Sequence, residues 1–381
     1  MKAYLDNAST SIIRKEVYDV MKPFFETEFG NPSSLHNEGI KNRKFINSSR
    51  KKIASLLGCN HKELFFTSCG TESINWAIQG IALKYRVKSK IITTRIEHHA
   101  TLETILFLES RGYVVEYVNT DLNGFVDLNH LEELIDETTL LVSIILANNE
   151  IGTIQNSKLI SQICNRNSVY LHFDAVQAVC HTNLDFHDIN ADLISISGHK
   201  FNAPKGIGIL YIKEGTEIGS LLHGGQQEND RRAGTENIAY IAAITKALEL
   251  GISEYSTYQE KLNSYSNYII NELKDNNIDF IINGPEIGIS RLPGNLNLSF
   301  KDLDGDTLTF YLNKKDIYVS TGSACDSTSI EPSHVVSAIG VPSDYINATI
   351  RISIGYQNTF EEIQYAVKTL IEIIKDNLKG E

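Results

Sequence analysis

The residues with the most chemical content fall in one short run, Ser195-Ile196-Ser197-Gly198-His199-Lys200, which closes an apolar stretch and leads into the turn Asn202-Ala203-Pro204-Lys205-Gly206. A strand ending there sets an amine among hydrogen-bond donors at a sheet edge. Alone, Lys200 reads as a solvated loop lysine. Asp174 changes that reading, because it follows another apolar stretch, Val169 to Phe173, 26 residues earlier. An amine able to condense with an aldehyde, beside a carboxylate able to keep a pyridine nitrogen protonated, is the pair that pyridoxal phosphate needs to act as an electron sink. The 5 cysteines, Cys59, Cys69, Cys164, Cys180 and Cys325, are odd in number and lack any CxxC spacing. They suggest neither a disulfide framework nor a zinc cluster, and no metal is expected. Cys325 has small polar neighbours, Thr321-Gly322-Ser323-Ala324 before it and Asp326-Ser327-Thr328-Ser329 after it. That setting favours an exposed nucleophile in a moving loop over a buried, inert thiol.

Elements must position these groups. Between about Lys62 and Ile212 short β-rich runs alternate with helical stretches: Leu64 to Thr67, Ile91 to Thr94, Val114 to Val118, Leu140 to Leu146, Val169 to Phe173 and Leu193 to Ile196. Most are continuously apolar, as strands covered by helices on both faces are. The pattern predicts an α/β fold with a mainly parallel sheet, whose ligands bind beyond the carboxyl ends of the strands. Gly70-Thr71 opens a helix just after the Leu64 strand, and the backbone N–H groups of such a helix start suit a phosphate dianion. After about Ser253 a long polar helix, strands near Phe280 and Leu298, and strands at Ile317 to Ser320 and Ile350 to Ile354 predict a second α+β domain. A closing helix carries Phe360, Ile363, Val367, Leu370, Ile371, Ile374 and Leu378 on one face, opened by Thr359-x-x-Glu362 as a capping box.

The chain has 381 residues, 42% of them hydrophobic, with 47 acidic against 35 basic residues and a net charge of −12. This is a soluble globular composition with room for two domains. It argues against holding nucleic acid or an anionic membrane by charge alone. The longest apolar run, Leu140 to Ala147, is far below the roughly 20 residues a membrane span needs. Asp6 interrupts any apolar stretch of an export signal, so a cytoplasmic protein is expected. Few residues follow the last helix, and a dedicated or simplified set of partners is expected from that.

Several segments together resemble a known family. They are Tyr4-Leu5-Asp6-Asn7-Ala8, Phe29 to His36, Thr67 to Ser73, Glu97-His98, Ala147 to Gly152, Asp174-Ala175-Val176-Gln177, Ser197 to Lys200, Arg232 to Asn237 and Ser320 to Cys325. In this order, over nearly the whole chain, they resemble cysteine desulfurases of the NifS/IscS type, within the class V aminotransferase group of fold-type-I pyridoxal phosphate enzymes. The resemblance implies a large domain with a seven-stranded-type sheet over 15–255, and a small domain from 1–14 and 256–381 that carries the catalytic cysteine loop.

By resemblance, Lys200 is the covalent attachment point of pyridoxal 5'-phosphate, Asp174 pairs with the ring nitrogen and Gln177 bonds the ring's phenolic oxygen. His98 lies over the ring face, where an imidazole can also move protons. Gly70, Thr71, Ser197 and His199 hold the phosphate, with Thr235 supplied by the neighbouring subunit of a homodimer. Arg351, assisted by Asn149, anchors the substrate carboxylate, for which a guanidinium fork is well shaped. Cys325 is the nucleophile that takes sulfur from L-cysteine as a persulfide, leaving L-alanine. An acceptor protein would then receive the sulfur: an iron–sulfur scaffold, a tRNA thiolation enzyme or a DNA-modification protein. Two departures stand out. Cys69 sits where the family commonly has Gly, and Asp326 replaces a common Thr, its charge raising the Cys325 thiol pKa slightly. A selenocysteine lyase, another class V activity such as an aminotransferase, and a sulfur-relay subunit without turnover are the alternatives. The aminotransferase has no need of the loop thiol.

Overall fold

The structure is a computed structural model that describes residues 1–85, 88–321 and 332–377. The chain opens on a two-residue strand, β1 (Ala3–Tyr4). It then builds a large sheet from β2 (Leu64–Thr67), β3 (Lys90–Thr94), β4 (Val114–Val118), β5 (Thr139–Ile145), β6 (Tyr170–Asp174), β7 (Leu193–Ser197) and β8 (Gly208–Ile212). Their order across the seven-stranded sheet is β2-β8-β7-β6-β5-β3-β4. The strands from β7 to β4 pair in parallel, while β8 runs against both β2 and β7.

Every residue of β5, β7 and β8 is buried. Helices cover both faces, which explains why these runs are uniformly apolar instead of alternating. On one side Trp76, Ile78 and Ile105 pack with Leu141 and Leu210. On the other, Phe173, Ile194 and Ile209 pack with Ile241 and Ile244. Six of the seven strands coincide with the apolar runs of the sequence, to within a residue or two. The seventh, β8, follows the Lys200 turn directly; being antiparallel to β7 it needs no helical crossover, so no helix announces it.

A second core gathers Ala3, Leu5, Leu262, Leu296, Ile350, Ile363 and Ile371. Its sheet consists of β9 (Phe280–Asn283), β10 (Asn295–Phe300), β12 (Ser320–Thr321) and β13 (Thr349–Ser353), in the order β12-β13-β10-β9 and antiparallel throughout. Just before β12 comes β11 (Ile317–Tyr318), which pairs in parallel with β1. The single strand expected over Ile317 to Ser320 is therefore two, divided at Val319 because the halves bond to different sheets. The pairing of β1 with β11 carries the first residues of the chain into this second core.

The closing helix, Phe360–Asn377, has the expected capping box: Glu362 Oε2 accepts from Thr359 N at 3.1 Å, and Thr359 Oγ1 accepts from Glu362 N at 3.3 Å. Its Ile363, Val367, Leu370, Ile371 and Ile374 are buried, and Leu378 lies outside the described residues. Among the described residues no helix is long and apolar enough to cross a membrane.

Candidate active site

The carboxyl ends of β3, β5, β6 and β7 lie along one edge of the large sheet, the position at which such sheets bind ligands. A cavity of about 190 Å³ there is lined by His98, Asn149, Asp174, Gln177, Lys200 and Arg351. These six positions, spread from 98 to 351 in the chain, include both members of the amine–carboxylate pair and the expected carboxylate anchor.

Asp174 is the last residue of β6 and is buried; its Oδ1 accepts from Val176 N at 2.9 Å. Burial pushes its carboxyl up to about 6, and the ammonium of Lys200 pulls in the other direction. Lys200 ends the short 3-10 turn Gly198–Lys200 that follows β7. Its Nζ donates to Ala8 O at 2.7 Å and Ser9 O at 3.0 Å. Gln177 Nε2 also donates to Ala8 O, at 2.9 Å. The amino-terminal segment thus runs along the cavity and orients two of its polar side chains.

Arg351 lies in the middle of β13 with 4% of its surface exposed. Its Nη2 donates to Asp6 Oδ1 at 2.9 Å and Ser9 Oγ at 2.7 Å, and its Nη1 to Asn149 O at 3.1 Å. Nε is buried and has no hydrogen-bond partner among the described residues. Asn149 thus assists through its backbone carbonyl, which holds the guanidinium in plane. The carboxylate of Asp6 shares the charge.

His98 caps the helix His99–Glu109, its Nδ1 accepting from Ala100 N at 3.0 Å. The proton of the neutral ring is therefore on Nε2. Burial lowers its pKa to about 4, with the Lys200 charge acting in the same direction, so His98 is neutral at physiological pH. His199 is likewise lowered to about 4, mainly by burial, and its Nδ1 lies 3.2 Å from Thr10 Oγ1.

Beside the cavity, Gly70 begins the helix Gly70–Lys84. A Cβ on Gly70 would stand 2.8 Å from Val176 Cγ2 and 3.1 Å from Ser197 Cβ, so only glycine lets the helix start approach the ends of β6 and β7 this closely. Cys69 precedes it in an extended conformation (φ −172, ψ 172) and caps the helix, its Sγ accepting from Glu72 N at 3.4 Å. The cysteine at this place needs no left-handed backbone and causes no strain. Thr71 is exposed at the first turn and Ser197 is buried at the end of β7. Thr235 is exposed and does not line the cavity; nearby, Arg232 grips Glu72 of the same helix, Nε to Oε1 at 2.7 Å and Nη2 to Oε2 at 3.0 Å. Cys325 and Asp326 lie outside the described residues.

Glu97, Glu150 and His334 also line the cavity, and Asp6 reaches it through Arg351. The sequence reading gave them no role. All four stand inside segments that carry the family resemblance, His334 in the stretch Ile330 to Val335 that resembles the branch with the longer catalytic loop, so a signal existed for them.

Residues 3–366 match the family model described as Aminotransferase class-V. The chain belongs to the class V aminotransferase family. Among curated members, the cysteine desulfurase IscS of Dictyoglomus turgidum is 46% identical over 375 residues, covering 98% of this chain and 95% of that protein. Among solved structures, a NifS-like protein superposes with a TM-score of 0.92 at 37% identity, covering 99% of this chain and all of the other. A structure described as SspA in complex with cysteine gives a TM-score of 0.81 at 34% identity, covering 93% of this chain and 99% of that one.

The cofactor of this class V aminotransferase chain is pyridoxal phosphate, and the residues present fit it. A buried carboxylate whose acidity burial has weakened calls for a cationic N–H such as a pyridinium. A glycine-opened helix start against Ser197 leaves room and backbone donors for a dianion. A lysine and a neutral imidazole flank the same cavity.

Proposed function

We propose that this chain is a cysteine desulfurase, which takes sulfur from L-cysteine, releases L-alanine and keeps the sulfur as a persulfide on Cys325 for an acceptor protein. The convergence of Lys200, Asp174 and Arg351 on one cavity carries this reading. The name of the Dictyoglomus relative and the cysteine in the SspA complex support the choice of substrate.

Bound at this cavity, pyridoxal phosphate supplies the electron sink that makes the Cα proton of cysteine acidic. Asp174 would hold the ring N–H, and Gln177 would donate to the phenolic oxygen. Lys200 would hold the group covalently, and its Nζ, at the same cavity, would be the base for the Cα proton of the substrate. His98, neutral and carrying its proton on Nε2, lines the same cavity and could donate a proton there. Gly70, Thr71, Ser197 and His199 would hold the phosphate, and Thr235 of the partner subunit would complete the set. Arg351 binds the substrate carboxylate through the N–H groups its protein partners leave open. At Cys325 an S–S bond forms as the carbon–sulfur bond breaks, and that bond's electron pair, with a proton, becomes a C–H bond of alanine.

Residues 15–255 form the cofactor domain, and 1–14 with 256–381 the smaller one, a division supported by the two separate cores. Free thiols at Cys59, Cys69, Cys164 and Cys180 support a cytoplasmic place of work. The test is turnover: protein loaded with pyridoxal phosphate is expected to give alanine from L-cysteine. Lys200→Ala should lose both the visible absorbance of the bound cofactor and the activity, and full activity would overturn the assignment. Cys325→Ser should still bind cysteine but release alanine far more slowly; unimpaired turnover would move the sulfur-accepting role to another thiol, with Cys69, next to Gly70 at the helix start, the first to test.

A further inference from the structure

Glu97 is 1% exposed at the edge of the active-site cavity. Its Oε1 accepts from Thr94 Oγ1 at 2.6 Å and from Ile145 N at 3.0 Å. Thr94 ends β3, and Ile145 ends β5 in register with Asp174 of β6. The carboxyl thus ties the turn that carries His98 to the strand edge that carries Asp174. Its backbone carbonyl accepts from His334 Nε2 at 2.9 Å. Oε2, by contrast, is buried without a hydrogen-bond partner among the described residues, and no ion pair of Glu97 is found there. An ionised carboxylate so placed would be a buried, uncompensated charge, which costs several kcal/mol, whereas the neutral acid has an O–H to give.

We propose that Glu97 is a positioning residue that works as a neutral carboxylic acid: Oε1 fixes His98 relative to Asp174, and Oε2 offers a hydrogen bond to the group bound in the cavity. The second half rests on the cofactor reading above; the first does not.

Burial raises the Glu97 pKa to about 8, its hydrogen bonds from Thr94 and Ile145 opposing this and the Asp174 charge adding to it. The other titratable groups facing the cavity are His98 and His99, Asp174, Lys200, Glu150, His334 and Arg351. His98 is held neutral by burial, so its own charge change falls far to the acid side. An unfolded Glu titrates near its ordinary value of about 4.3. Between that value and the folded value the unfolded chain releases a proton that the folded chain keeps. Glu97 therefore stabilises the fold fully only at low pH, and this contribution is lost as the pH rises toward about 8.

The test uses the full chain without and with pyridoxal phosphate. Infrared spectra of the cofactor-free protein at pH 7 should contain a protonated-carboxyl band that is missing in Glu97→Gln and fades as the pH passes about 8. Glu97→Gln should raise the Tm by a few degrees, on the order of 2–4 °C, at pH 7 and leave it unchanged near pH 4. In cofactor titrations Glu97→Ala should bind at least about tenfold more weakly, and Glu97→Gln should restore most of that affinity. Above the Glu97 titration the wild type should lose affinity by up to roughly tenfold per pH unit beyond any loss in Glu97→Gln. A purely structural residue would not produce that difference in pH profile. Absence of the band at pH 7, its persistence in Glu97→Gln, or identical alkaline losses in the two proteins would overturn the proposal. Failure of both proteins to bind pyridoxal phosphate would overturn the cofactor reading, on which the infrared and melting results do not depend.

Discussion

Arg351 is a buried cation that lines the cavity and whose charge is already shared with Asp6. That combination keeps a guanidinium in a fixed plane before substrate arrives, so little ordering remains to be done on binding. Lysine would keep the charge and lose the fork. Arg351→Lys is expected to retain the absorbance of the bound cofactor while kcat/KM for L-cysteine falls roughly ten- to hundredfold, the worth of one or two charge-assisted hydrogen bonds. Steady-state kinetics on the loaded enzyme check this, and an unchanged kcat/KM would place the carboxylate anchor elsewhere. Lys200 and Asp174 were legible as a pair, an amine and a carboxylate each following an apolar run, whereas Arg351 was assigned through the family resemblance. Asp6 was harder to read. Its role depends on a contact with Arg351, 345 positions away, which no local pattern encodes.

At the scale of elements, the site depends on how closely the helix Gly70–Lys84 can approach β6 and β7. The continuous apolar runs made the parallel strands legible, and Gly70-Thr71 marked the helix start. Only the family resemblance grouped that start with Ser197; no local pattern encodes their contact, because it depends on the twist and order of the sheet. The pairing of β1 with β11 was missed for the same reason: two-residue strands carry no periodicity, yet this one delivers Ala8 and Ser9 to Lys200. A methyl group on Gly70 tests the close approach. Gly70→Ala must displace Val176 Cγ2 from 2.8 Å and tighten against Ser197. The helix interior itself would tolerate alanine well. The expected outcome is a cooperatively folded protein, seen as a normal melting transition, whose affinity for pyridoxal phosphate has fallen by tenfold or more. Wild-type affinity would mean that the phosphate does not sit at this helix start.

For the whole molecule, the question is whether one chain completes its own site. Thr235 is exposed and lines no part of the cavity in its own chain, so a role at the phosphate requires a second copy. The segment bearing it is nonetheless held firmly. Arg232 grips Glu72, Arg50 forms a buried two-point bridge to Glu228 at 2.7 and 2.6 Å, and Glu228, Asn229 and Asp230 all keep positive φ. Three consecutive non-glycine residues in that region are costly, and such strain persists only where the surroundings enforce it. The chain also exposes large apolar side chains close together in sequence, Phe25, Phe29 and Leu35, with 76% of Phe29 and 86% of Leu35 accessible. Such groups mark a contact surface where they form one contiguous patch. Two chains joined there would cover them and could exchange Thr235 segments. Light scattering is therefore expected to give the mass of two chains for the wild type. The double variant Phe29→Glu, Leu35→Glu should shift toward the mass of one chain while keeping a melting transition, and should bind pyridoxal phosphate more weakly because each cavity lacks its partner's donors. A variant that is monomeric yet binds the cofactor as tightly as the wild type would show that each chain holds the phosphate alone.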